Sequence, residues 1–183
     1  MTGTDNRAEH RKRALSGLDR LISDTTMMRR LATRRAGLLT NHACTTVDQV
    51  PATRAIAQAL DAAGSAHPLR LFTPEHGMRL TAGAGEAVGN SRDPLTGLPV
   101  VSLYESVEND ADAVVEGLDV LVIDLRDVGV RCYTYAATAA RFAAAALAAQ
   151  VEVIVCDRAN PLGPAAEGPA ARSANSSRSP SHR

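Results

Sequence analysis

The chain has no tryptophan, and aromatic residues make up 3% of its 183 positions. Its core must therefore be built from Ala, Val, Leu and Ile. Cysteine is scarce too: Cys44, Cys132 and Cys156 are odd in number, far apart and without a C-x-x-C pair. That pattern excludes a zinc knuckle or a disulfide framework and fits a reduced, cytoplasmic setting. Lysine is almost absent, since all but one of the 20 basic residues are Arg, with Lys12 the exception; this reads as base composition. The formal net charge of +0 leaves no global field to attract nucleic acid, so none is expected as a partner. No run approaches the length of a membrane span, and the charged opening residues contain no apolar segment of a signal peptide, so no membrane association is expected.

Several chemistries lack their motifs. There is no G-x-x-x-x-G-K-[ST] phosphate loop, no H-E-x-x-H and no G-x-S-x-G elbow. Gly83, Gly85 and Gly89 do not spell G-x-G-x-x-G. His42 and His76 alone make a poor metal case, so neither metal nor cofactor is expected.

What is present is a globular composition, 45% hydrophobic and 22% charged, with enough residues for one domain. Leu15, Leu18, Leu21, Ile22, Met28 and Leu31 recur at helical spacing and predict a helix over 14–33. Further helices are expected over 51–63, 109–117 and the Ala-rich 134–150. Short apolar runs at 36–40, 69–72, 99–103, 120–125 and 151–156 read as buried strands. The alternation predicts an α/β fold, Rossmann-like, with a mostly parallel sheet and helices on both faces. Residues 1–13 are expected to form a flexible N-terminus, 14–169 the Rossmann-like domain, and the Ser/Arg-rich 170–183 a disordered tail.

The most informative stretch is FTPEHGMRLTAGAGEAVGNSRDP, residues 72–94. It places a carboxylate, Glu75, and an imidazole, His76, directly after an apolar strand, where ligands bind in open α/β sheets. Long loops without apolar period are uncommon in compact domains and are usually functional or disordered. Glu75 is a poor capping residue beside a rigid proline, which favours a functional role. Glu86 follows in the same glycine-rich stretch. Glycoside hydrolysis commonly uses two carboxyl groups, and Glu75 with Glu86 could form such a pair if the intervening glycines fold back. Other strand ends carry Asn41 and His42; Asp124, Arg126 and Asp127; and Asp157, Arg158 and Asn160. Asp and Asn there also serve as turn formers and caps. For Asp157 and Asn160 the two readings weigh equally. Tyr133 and Tyr135 flank Thr134 at a helix start, placed to stack on a sugar or to fill core.

The blocks GLLTNH (37–42), LFTPEHGMR (71–79), AGEAVGNSRDPLTGLPVVSLY (84–104), LDVLVIDLRDVGVRCYTY (118–135), VIVCDRANPLG (153–163) and EGP (167–169) follow in order. Together they resemble the exo-β-N-acetylmuramidase family of bacterial peptidoglycan hexosaminidases, long known as a domain of unknown function. The resemblance implies a Rossmann-like N-terminal domain followed by a second domain, with the active site in the cleft between them. It also implies release of N-acetylmuramic acid from the non-reducing ends of peptidoglycan fragments in cell-wall turnover. Carried over by motif, Glu75 is the expected catalytic acid and Glu86 its partner. Asn41, His76, Arg79, Asp124, Asp127, Tyr133, Arg158 and Asn160 sit in matching blocks as expected substrate-binding residues. Ala159 stands where the family resemblance leads one to expect Pro. Family members are longer, and the tail begins where their second domain would continue, as a frameshift or premature stop would produce. A truncated glycosidase is thus expected, with self-association through the face left bare. The alternatives are a non-catalytic sugar-binding or remnant domain, and a nucleotide-binding α/β domain.

Overall fold

A computed structural model of the protein describes residues 14–81, 91–103, 111–130 and 133–163. The first apolar period makes two helices, α1 (Gly17–Ser23) and α2 (Thr25–Ala32), where one was predicted. The break is chemical. Asp24 adopts an extended conformation, and its carboxylate accepts from the backbone N–H of Thr26 and Met27, so it ends one helix and caps the next. Ser16 and Asp19 form a reciprocal capping box at the start of α1.

The chain continues as β1 (Ala36–Leu39), α3 (Ala52–Ala62), β2 (Arg70–Thr73), β3 (Ser91–Arg92), β4 (Pro99–Ser102), α4 (Ala111–Val115), β5 (Val120–Ile123), α5 (Tyr135–Ala148) and β6 (Glu152–Val155). These strands form a six-stranded sheet in the order β3-β4-β2-β1-β5-β6. All neighbours pair in parallel except the two-residue β3, which runs antiparallel along the β4 edge. The strand β3 lies in a stretch whose composition reads as loop; with two exposed residues it has no apolar period to betray it. Counting the parallel strands alone, the spatial order is 3-2-1-4-5, the Rossmann-type winding, whose direction reverses between β1 and β5.

Side chains alternate across a strand, so one tetrapeptide feeds two cores. Leu38, Leu71, Val120 and Val122 point into a layer with Leu18, Leu31 and Ile56 from α1, α2 and α3. Leu39, Phe72, Leu121 and Ile123 point the other way, onto Val115 of α4 and Phe142 and Ala146 of α5. Burying each large aliphatic side chain stabilises the fold by about 1.5–3 kcal/mol, which is why both faces are covered. At the amino ends of the strands Asp119 holds Arg35 by three hydrogen bonds, and Glu152 pairs with Arg30 and Arg34. The described edge at β6 is less covered, with Val155 exposed.

The start of α1 docks on the far end of β6. The Gly17 N–H donates to the Asp157 carbonyl at 2.7 Å. A Cβ at Gly17 would lie 2.4 Å from the Asp157 nitrogen and 2.6 Å from the Cys156 Cα, backbone atoms that cannot swing aside. Gly17→Ala should therefore destabilise the protein by about 1–3 kcal/mol, read as a lower urea midpoint with unchanged slope. An unaltered midpoint would show that this contact is not tight.

Candidate active site at the carboxyl rim of the sheet

The parallel ladder runs one residue past each strand. The N–H groups of Thr40, Asp124 and Cys156 donate to the Phe72, Leu39 and Ile123 carbonyls at 3.0, 2.9 and 2.8 Å. The first residues of the loops thus inherit the rigidity of the sheet. Asn41 after β1, Glu75 after β2, Asp124 after β5 and Arg158 after β6 all leave the carboxyl end, on both sides of the winding reversal where such folds hold ligands.

Glu75 opens a tight turn. Gly77 N–H donates to the Pro74 carbonyl at 3.2 Å, and the Met78 carbonyl accepts from the His42 N–H at 2.8 Å. His76 and Gly77 both have positive φ, 69° and 73°. Glycine adopts that conformation freely, but histidine there costs free energy, of order 1–3 kcal/mol, a strain that clusters at functional sites. The result is a Glu75 side chain that is nine-tenths buried at the rim. Its Oε2 accepts from the Thr134 hydroxyl at 2.8 Å, and its backbone carbonyl accepts from the Tyr135 hydroxyl at 3.3 Å. Half-buried His76 and exposed Arg79 instead face a neighbouring hollow of about 250 Å³, with Arg92 and Pro94 on its other wall.

The second fixed point is an ion pair. Arg158 Nε and Nη2 donate to the two oxygens of Asp124 at 2.5 and 2.8 Å, and its Nη1 reaches the Thr45 carbonyl at 2.9 Å. Asp124 is fully buried. Burial pushes its carboxyl up and the two-pronged contact opposes this; on Arg158 the same contact outweighs burial and holds the guanidinium charged. Beside the pair lies a hollow of about 450 Å³, walled by Asp19, Thr45, Arg126 and Asp157. Cys44 and Cys156 are buried near the pair, and burial pushes the Cys156 thiol up to about 12. A hollow of about 410 Å³ lies elsewhere, between Arg54 of α3, residues 67–69 ahead of β2, and residues 95–98 ahead of β4. None of Asn41, Glu75, Asp124 and Arg158 lines it.

Asn41 is buried between these points. Its Oδ1 accepts from the Ala43 N–H at 3.1 Å, while its Nδ2, close to the Tyr135 hydroxyl, makes no hydrogen bond of good geometry among the described residues. Tyr135 itself is core, with its hydroxyl shifted well upward by burial and by the Tyr133 hydroxyl beside it. Tyr133 is half-exposed and packs on Tyr135 at 4.3 Å between ring centres. Of the pair only Tyr133 is open to a ligand. Asp127 and Asn160 are occupied as turn formers, accepting from the N–H of Gly129 at 2.5 Å and of Leu162 at 2.9 Å. Glu86 lies outside the described residues. Among those described, no group of three or more His, Cys, Asp and Glu could hold a metal ion.

Two contacts were not readable from local pattern. His42 Nε2 meets Asp93 Oδ1 at 2.9 Å, and the Thr96 hydroxyl donates to its other oxygen at 2.8 Å. Thr134, unremarkable in sequence between two tyrosines, is the direct partner of Glu75. A hydroxyl residue at a helix start is too common a signal to have singled it out.

A mostly parallel, Rossmann-type α/β domain with a buried, hydrogen-bonded glutamate on its carboxyl rim is the frame of a small-ligand or catalytic domain. The family described as Exo-beta-N-acetylmuramidase NamZ, N-terminal, matches residues 36–180, and the chain belongs to it. It is 34% identical over 158 residues to the Peptidoglycan beta-N-acetylmuramidase NamZ of Bacillus subtilis (strain 168), a match covering 86% of this chain and 37% of that protein. Two crystal structures of DUF1343 family proteins from Bacteroides fragilis NCTC 9343 share the fold. One has a TM-score of 0.62 at 30% identity and the other 0.57 at 24%; each match covers 80% of this chain and 35% of the other. The chain therefore spans little more than a third of the relatives it matches.

The ion pair yields one expectation. Arg158→Ala leaves a buried, unpaired Asp124 and should cost about 3–5 kcal/mol in chemical denaturation, whereas replacing both residues by leucine should cost much less. A loss below about 1 kcal/mol in the single variant would contradict the pairing. Asp93 yields another. Burial alone would raise its carboxyl, but hydrogen bonds led by Thr96 and His42 hold it below its ordinary 3.8. A depressed carboxylate contributes stability that is whole above its unfolded pKa and lost as pH falls through the folded one. The stability gap between wild type and Asp93→Asn should hold down to about pH 5 and shrink below about pH 4. A gap that stays constant to about pH 3 would overturn this assignment.

Proposed function

We propose that this chain supplies the catalytic acid of a glycoside hydrolase that releases N-acetylmuramic acid from the non-reducing ends of peptidoglycan fragments in cell-wall turnover, with Glu75 in that role. Family membership supports the substrate class. The observation that carries the role of Glu75 is its setting: a nearly buried carboxyl at a strand's carboxyl end, held at Oε2 by Thr134 and at its backbone by Tyr135.

In the reaction Glu75 gives its proton to the glycosidic oxygen. The bond from the anomeric carbon to that oxygen breaks, and its electron pair stays on the oxygen. Water supplies the hydroxyl to the anomeric carbon and the proton that restores the acid. A second carboxylate is needed on the other side of the sugar ring. Asp124 is engaged by Arg158, Asp93 by His42 and Thr96, and Asp127 by its own turn; Glu86, named by the family motif, is the proposed partner. His76, Arg79, Tyr133 and the buried Asn41 are the proposed contacts for the sugar. Arg158, Asp124, Asp127 and Asn160 then shape the rim that receives it.

A second reading has its own support. The chain spans 37% of its Bacillus subtilis relative, and binding a sugar asks less of this domain than cleaving it does. On that reading the domain binds the sugar without cleaving it. A chromogenic N-acetylmuramic acid glycoside separates the two. Glu75→Gln should lose at least about 100-fold in kcat with its circular dichroism unchanged. Equal turnover in that variant removes Glu75 from the mechanism. No turnover in the wild type, with a muropeptide disaccharide binding in calorimetry, selects the binding module.

A further inference from the structure

Thr134 is the residue just ahead of the 14-residue helix α5, the place where a threonine hydroxyl ordinarily accepts from the first free N–H groups of the helix. It makes no such bond. Its backbone is already helical, with φ −85° and ψ −11°, and no side-chain cap is formed. The hydroxyl turns away and donates to Glu75 Oε2 at 2.8 Å, across 59 residues of sequence. Thr134 itself is exposed, so core packing does not dictate where its side chain goes. A capping threonine is worth about 1 kcal/mol to a helix. Here that stabilisation is forgone, and the hydroxyl serves a carboxylate instead.

We propose that Thr134 is the positioning residue of the rim carboxyl: by donating to Oε2 it fixes the orientation of the Glu75 side chain and so the direction in which its proton leaves. The inference rests on the reading of Glu75 as the acid. A carboxyl without such a partner carries its proton on either oxygen and rotates. One oxygen held by a hydroxyl keeps the carboxyl from rotating. Tyr135 completes the arrangement from the next position. Its hydroxyl grips the Glu75 carbonyl, so the start of α5 fixes both the backbone and the side chain of the acid. The same two residues couple the loop after β2 to the helix after β5, on opposite sides of the central strand β1.

A hydroxyl donated to a carboxyl favours its ionised form, so removing it raises the titration midpoint. The test is a carbon-detected NMR titration of the Glu75 carboxyl in the whole chain, which needs no turnover. Thr134→Val should raise the midpoint by about one pH unit, and Thr134→Ser should leave it in place. Helix content should not fall in either, since no cap is lost. With the chromogenic glycoside, Thr134→Val should lower kcat about ten-fold at little change in KM and move the pH limb governed by Glu75 upward, with Thr134→Ser restoring both. An unmoved Glu75 midpoint in Thr134→Val overturns the proposal. A wild-type rate and pH profile in that variant, beside an inactive Glu75→Gln, also overturns it and leaves the acid in place. An active Glu75→Gln instead removes the reading beneath it.

Discussion

A carboxylate and a guanidinium taken out of water, Asp124 and Arg158, meet at the point where the sheet's winding reverses. Each alone would be too costly to bury there, and the two-pronged geometry is what makes both tolerable. The arginine's remaining nitrogen takes the Thr45 carbonyl, so one side chain ties the loops after β1, β5 and β6. Gly17 then rests its N–H on the residue next door, and Asp19 receives the Val47 N–H. Half of the carboxyl rim is thus a single hydrogen-bonded assembly centred on a charge pair. Such a pair contributes less to net stability than to fixing one arrangement of the loops it joins.

The other half of the rim is organised around Glu75. The sheet fixes where it starts, the strained His76–Gly77 turn fixes how the chain leaves, and α5 returns to hold the carboxyl. Both halves use a residue from across the winding reversal as the clamp. That explains how a domain with few aromatic residues builds a defined site: charge and hydrogen bonds do what a packed aromatic floor does elsewhere. The chain that carries this arrangement belongs to the family described as Exo-beta-N-acetylmuramidase NamZ, N-terminal.

Much of the fold was legible in the chain. Strands such as Val120–Ile123 are four apolar residues between polar ends, and such a run reads as doubly covered parallel strand whatever surrounds it. The Ala-rich α5 and the strand-end position of Glu75 followed from the same local logic. Misreadings have local causes too. Asp24 broke one expected helix because its capping chemistry prevailed over an uninterrupted apolar period, and β3 is too short to carry a period. Tyr135, weighed with Tyr133 as a ligand platform, is core, because its neighbours in space and not in sequence cover it.

The sequence by itself determined which residues form the five parallel strands, which side chains stand at their carboxyl ends and which family motifs they spell. All of these depend on residues a few positions apart. Only the tertiary structure decided who meets whom: Asp124 with Arg158 at 34 residues' separation, His42 with Asp93 at 51, Glu75 with Thr134 at 59. Those meetings follow from the order in which the strands pack. That order is set by the summed burial of both sheet faces, a quantity no short window of sequence contains.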